Sequence, residues 1–185
     1  MNRNARLSTS KRDADLPPTP FAPRIGVEAS ALAQVDILRD LTPAQRALVA
    51  SLGEEMVLPA DYILGTHGSK GDTLYLILEG EVELSVPTVM DYLAVRVVKG
   101  GESVPLSVLV GDSTLITTAV AMTSTRVVMI PRQRLLALCD VRPEIASVIF
   151  RSIAGILAQR YRFTLAKLTD TPGDAVRYAD LWTNL

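Results

Sequence analysis

The residues able to do chemistry in this sequence are few and scattered. His67 is the sole histidine and Cys139 the sole cysteine, and no carboxylates cluster around either. Such a set excludes a standard zinc or non-haem iron site. His67 lies in a glycine-bounded loop and reads as a solvated side chain. Cys139 follows the apolar run Leu135–Leu138 and reads as an inert buried thiol, because a reactive one needs a basic, partly open setting. Neighbouring carboxylates such as Glu54 and Glu55 read as solvated rather than as an acid–base pair. Gly100-Gly101 reads as a hairpin turn, since no helix with a following Lys-Ser/Thr comes after it, as a phosphate-cradling loop requires. No serine has a base beside it. The expectation is no enzyme, no metal and no cofactor.

Composition sets the frame for these residues. The chain has 185 residues, 48% hydrophobic and 21% charged, with a net charge of −1. That is enough for one ordinary domain with a real core. Its charge balance provides no bulk attraction to nucleic acid or to an anionic membrane. A single thiol cannot staple a fold of this size, and such a size needs no staple. No run of 18 uninterrupted apolar residues suits a membrane span. The N-terminus is charged and polar through Asp15, without the apolar stretch of a signal peptide. The cytoplasm is the expected location.

Four stretches follow from the pattern of apolar residues. Residues 1–28 hold Arg3, Arg6, Lys11, Arg12 and Arg24, with prolines at 17, 18, 20 and 23. They read as a flexible leader, or as an arm that docks on a partner through Phe21 and Ile25. A helical pair comes next. Ala31, Leu32, Val35, Leu38 and Leu41 mark one face of its first helix. Thr42 caps the second helix, with Pro43 in its first turn, and Leu48, Val49 and Leu52 form its face up to Gly53. From Glu54 to Ile130 the period becomes two. Short strands are predicted at Met56/Leu58, Ile63, Leu74/Leu76/Leu78, Val82/Leu84/Val86, Tyr92 to Val98, Ile116 to Met122 and Val127 to Ile130. After Pro131 the helical period returns. A short helix at Leu135–Leu138 precedes a long one from Pro143 to about Leu168, about 40 Å in length at 1.5 Å per residue. A tail with Tyr178, Leu181, Trp182 and Leu185 closes the chain.

This order resembles the cyclic-nucleotide-binding domain of the catabolite activator and fumarate–nitrate regulator families, kinase A regulatory subunits and gated channels. The most specific stretch runs from His67-Gly68 through Leu74-Tyr75-Leu76-Ile77-Leu78-Glu79-Gly80-Glu81-Val82-Glu83-Leu84. The lead-in Val35 to Pro43 matches as well. The resemblance covers roughly residues 30–168. It implies a mainly β fold with flanking helices, a double-stranded β-roll (jelly roll) with a long C-terminal helix. The division expected is an arm over 1–28, the roll domain over 29–168 and a tail over 169–185. Alternating apolar residues of the Leu74–Leu84 stretch are expected to face the inside of the roll, with Gly80 at the hairpin turn.

The family holds its ligand in a phosphate cassette, where a Glu accepts from the ribose and an Arg pairs with the cyclic phosphate. Two alignments place that cassette here. One sets Gly101-Glu102 on its Gly-Glu. The preferred one runs without gaps from Gly101 to Ala121, and sets Gly101-Glu102 on the earlier Gly-Asp and Pro105-Leu106 on the Gly-Glu. It then sets Ser107 on the cassette turn and Leu115 on the Arg, and Thr117 and Thr118 enter the closing strand. Neither puts an arginine at the phosphate. Burying that charge unpaired costs roughly several kcal/mol, so no cyclic nucleotide is expected to bind. Leu106, Val108, Leu109 and Leu115 read as filling the pocket, or alternatively as lining one for an uncharged small molecule.

The long helix carries the remaining expectation. Val148, Ser152, Gly155, Gln159 and Arg162 fall near one line and Phe163 adds apolar surface, while Ile145, Ile149, Ile153, Ile156 and Leu157 suit the roll side. Phe150 and Ile156 also widen the apolar girth. Residues 148–165 are therefore expected to bury against a second copy or another protein subunit. No recognition helix or basic patch reads out nucleic acid. The function expected is a non-catalytic interaction or accessory module that docks on itself or on a larger assembly. The alternative is a ligand-responsive regulatory subunit that binds a cyclic nucleotide or another small molecule.

Overall fold

A computed structural model describes residues 26–169. Among these residues eight strands form two antiparallel four-stranded sheets. The first has the order β1 (Glu54–Leu58), β8 (Thr125–Pro131), β3 (Thr73–Glu79), β6 (Ser103–Val104). The second has the order β2 (Ile63–Gly65), β7 (Thr118–Ala121), β4 (Glu81–Pro87), β5 (Tyr92–Lys99). Three α-helices flank them: α1 (Pro43–Ala50), α2 (Arg132–Val141) and α3 (Pro143–Thr169). The fold is thus the mainly β roll with a long C-terminal helix that the sequence predicts. No helix among the described residues is long and apolar enough to cross a membrane.

Two cores explain the layering. One lies between the sheets and contains Met56, Leu58, Tyr75, Ile77, Val82, Leu84, Val98 and Val127. The other lies between the β1-β8-β3-β6 sheet and the helices, and contains Leu74, Leu76, Val128 and Ile130 with Leu135, Cys139, Ile145, Ile149 and Ile153. Because β3 sits between the two, Leu74, Tyr75, Leu76 and Ile77 are all buried. The expected one-sided alternation along β3 is therefore corrected: helices cover the face that would otherwise meet water. Burial pushes the Tyr75 phenol above its ordinary range, helped by Tyr62 and Asp72.

Local chemistry sets the element ends. Thr42 and Gln45 form a reciprocal capping box at the start of α1, with Pro43 at the first helical position. Gly80 joins β3 to β4 at a φ of +95°, and a Cβ there would lie 2.6 Å from the Thr125 hydroxyl. Only glycine fits such a turn.

Several expectations are corrected. The first helix of the lead-in is a 3-10 turn at Ala31–Gln34 followed by further turns. Val35, Leu38 and Leu41 are buried all the same, since consecutive turns can direct apolar side chains inward as a helix does. Leu48 on α1 is exposed, while Val49 carries the contact. Ile116 and Met122 lie outside β7 and are exposed, because the chain spends residues 111–117 on a turn and a loop pairing. Leu157 is exposed rather than packed on the roll. Val148 and Phe150, read as outward, pack partly against the helix-side core. The arm over residues 1–25 and the tail from residue 170 lie outside the described residues, so the docking expected of each is not addressed by the fold.

Candidate functional site

The cassette region is built from the end of β6 onward. After a cis Val104–Pro105 peptide, the chain makes a 3-10 turn at Leu106–Val108. Leu106, Val108 and Leu109 are buried. Arg132, at the start of α2, donates from Nε to the Val108 carbonyl at 2.7 Å and ties the turn to the helices. Ser107 Oγ is buried without a hydrogen-bond partner.

Leu115 sits at the centre of this region and is 4% exposed. A Cβ placed on Gly65 would fall 2.5 Å from Leu115 Cδ1. One placed on Gly71 would fall 2.6 Å from Leu115 Cδ2 and 2.6 Å from Val108 Cγ1. The isobutyl group therefore occupies a slot that exists because its two facing residues have no side chains.

Backbone pairing closes the slot. Gly68 N–H donates to the Leu115 carbonyl at 2.7 Å, Leu115 N–H to the Ser69 carbonyl at 2.8 Å, and Gly71 N–H to the Ser113 carbonyl at 2.9 Å. Lys70 Nζ then straps the same two loops. It donates to the Asp112 carbonyl at 2.8 Å, to the Asp112 carboxylate at 2.6 Å and to Thr114 Oγ1 at 2.8 Å. The Lys70 hydrogen bond, with those from Thr114, holds the Asp112 carboxyl well below the usual carboxylate range. His67 N–H donates to Thr118 Oγ1 at 3.1 Å at the entry to β7.

Pro105, Leu106, Ser107 and Leu115 thus share one neighbourhood, and Thr117 and Thr118 lead from it into β7. Gly101 and Glu102 do not join them. They form the turn between β5 and β6, with Gly101 N–H donating to the Ile77 carbonyl at 2.9 Å and its carbonyl accepting from Asp36 N–H at 2.8 Å. Glu102 pairs with Arg96 and accepts from Lys99 N–H at 2.8 Å. Arg126, beyond the closing strand, is engaged by Glu55 at 3.7 Å and Glu79 at 3.3 Å.

Along α3, Val148 and Ser152 are half-buried, whereas Gly155, Gln159, Arg162 and Phe163 are exposed. A Cβ on Gly155 would meet open space. Leu157, Tyr161 and Leu165 are also exposed, with Leu157 and Tyr161 on the side of the helix away from Gly155 and Arg162. Cys139 is buried, and burial together with Asp140 raises its thiol pKa. Among the described residues no group of three His, Cys, Asp or Glu could hold a metal ion.

Sequence reasoning missed two polar groupings. One is the Lys70–Asp112 strap, whose partners are 42 residues apart and carry no spacing signal. The other sets the Asp36–Ser103 hydrogen bond and the Arg96–Glu102 ion pair beside the β5–β6 turn, with the Arg160 charge near enough to act on them. The only hint of it in the sequence is a pair of charged residues, Asp36 and Arg96, inside otherwise apolar stretches.

Comparison with known families matches residues 55–142 to the cyclic nucleotide-binding domain. Among solved structures, a cyclic nucleotide-binding domain from Methylobacillus flagellatus KT is similar at 20% identity and a TM-score of 0.72, over 84% of this chain and 92% of that one. The catabolite activator protein of Thermus thermophilus is similar at 23% identity and a TM-score of 0.63, over 72% of this chain and 62% of that one. The regulatory domain of Toxoplasma gondii PKA, crystallised with cAMP, is similar at 15% identity and a TM-score of 0.58, over 69% of this chain and 49% of that one. At such identities the likeness is one of fold. No curated protein matches the chain.

Proposed function

We propose that this chain, which carries a domain of the cyclic nucleotide-binding family, is a non-catalytic interaction module whose cassette no longer takes a cyclic nucleotide. The observation that carries the reading is Leu115, seated against Gly65, Gly71 and Val108; the gapless cassette alignment sets this residue on the phosphate-binding Arg. A cyclic phosphate entering there would lose its water and gain no cation, a cost of roughly several kcal/mol. Leu106, which the same alignment sets on the ribose acceptor, provides no oxygen to a hydroxyl. The working surface is then the outer half of α3, around Gly155, Gln159, Arg162 and Phe163. There the missing side chain at Gly155 leaves room for a second copy or another subunit to approach closely.

The buried, partnerless Ser107 hydroxyl supports a second reading, a ligand-responsive module in which an uncharged small molecule displaces Leu115. Calorimetry of the full chain with cAMP and with cGMP separates a sealed cassette from a nucleotide-responsive one. A sealed cassette shows no saturable heat up to about 1 mM, where binding free energy falls to about 4 kcal/mol. Micromolar binding of either nucleotide overturns the proposal. Sedimentation of the chain and of Gly155→Glu tests the surface. Association that the variant loses while keeping its thermal transition supports α3, and a monomer at tens of micromolar removes the second copy as partner.

A further inference from the structure

We propose that residues 174–185 fold back as a short amphipathic helix along α3 and cover an apolar stripe that the roll leaves open. The contact goes beyond the reading above, because the stripe lies around the helix from the residues named there as the docking surface.

The stripe consists of Leu157, Tyr161 and Leu165, four residues apart on α3 and all exposed. That spacing follows one face of a helix, with a drift of about 40° at each step. The helix-side core reaches α3 through Ile145, Ile149 and Ile153 and, in part, Ile156. Among the described residues, none of α3 beyond Ile156 packs on that core. Three large apolar side chains in register on the open side of a helix call for a cover.

The sequence after α3 carries a matching stripe, although residues 170–185 lie outside the described ones. Tyr178, Leu181, Trp182 and Leu185 fall at i, i+3, i+4 and i+7. Thr171-Pro172-Gly173 stops one helix, and Asp174 can cap the next. Residues 170–173 form a link of the length that joins two antiparallel helices. A return about positions 171 and 172 sets Tyr178 level with Leu165, Trp182 with Tyr161 and Leu185 beside Leu157. Both stripes then run for about 10–12 Å at 1.5 Å per residue. Charge agrees with this pairing. Residues 157–169 hold Arg160, Arg162 and Lys167 and no carboxylate, whereas residues 170–185 hold Asp170, Asp174 and Asp180 against Arg177. A second copy would have to give up its free translation and rotation to reach the stripe. A segment on so short a link is already present at an effective concentration of about millimolar, which favours it as the occupant.

Trp182 is the sole tryptophan, so its emission reads the contact directly in the full chain. Parent emission is expected to lie to the blue of the urea-unfolded chain. It should move to the unfolded position in Tyr161→Glu and in Leu165→Glu, with the thermal transition of the roll kept. Both side chains are exposed, so neither substitution opens the core. Gly155→Glu should leave the emission in place, which separates this contact from the docking surface proposed above. Oxidation of Leu165→Cys with Tyr178→Cys, in a Cys139→Ala background, gives a second readout, and a disulfide within one chain is expected. Parent emission at the unfolded position overturns the proposal. So does blue emission that both glutamate variants leave unchanged, because Trp182 would then pack elsewhere. Emission that moves in Gly155→Glu or on dilution, or a disulfide found only between chains, overturns it as well, because the stripe would then be covered by a second copy.

Discussion

The cassette and the charged junction beside the β5–β6 turn face the same physical problem with opposite outcomes. At the cassette, apolar side chains fill the space, and the backbone groups of Leu115 and Gly71 are paired across the two loops. At the junction, four charged side chains remain, and two guanidinium nitrogens stay buried without an acceptor. Apart from the Ser107 hydroxyl, buried without a partner, the cassette leaves little unsatisfied and has little free energy to gain from a ligand. A site with unspent donors has more to gain.

Leu115→Ala should break the comparison most strongly. It empties the slot between Gly65 and Gly71, and a loss of about 2–5 kcal/mol is expected for a buried leucine. A fall in the urea midpoint with an unchanged slope checks this. Calorimetry with cAMP should stay blank, because the emptied slot still lacks a cation; binding by this variant would show that Leu115 alone closes the site.

Arg160→Met should sharpen the contrast from the other side. Replacing a half-buried cation whose Nε has no hydrogen-bond partner by an apolar side chain is expected to change stability by no more than about 0.5 kcal/mol, or to raise it. A loss comparable to that of Leu115→Ala would mean that the junction is already satisfied.

The smallest effect belongs to the strap over the slot. The Asp112 carboxyl is depressed below its ordinary range, chiefly by Lys70. Its contribution is therefore complete above the unfolded value of about 3.9 and is lost as pH falls below that, toward the native value. Both partners are exposed, so Asp112→Asn should lower Tm only slightly at pH 7. The gap between variant and parent should close as the solution is acidified through that window; a gap that persists well below it would mean that Asp112 acts through something other than its charge.

Much of the roll was legible because its signals are local. The alternation of Val82, Leu84 and Val86, the glycine at position 80 and the proline at position 43 each act over a few residues. The misreadings have one physical source as well. Leu74 to Ile77 alternate in the pleat, yet both faces are buried because the helices supply a second apolar layer. Leu157 continues the stripe of Ile149 and Ile153 in register, yet the roll does not extend far enough along α3 to cover it.

The sequence by itself determined the element order, the glycine turns and the absence of an arginine from the cassette alignment, since each depends on residue type or on neighbours in the chain. Tertiary structure decided which glycines form the slot for Leu115, that Lys70 reaches Asp112, and that Ser103 reaches Asp36. Those contacts join residues tens of positions apart. Their geometry depends on how two sheets and a helix pack, and no periodicity encodes it.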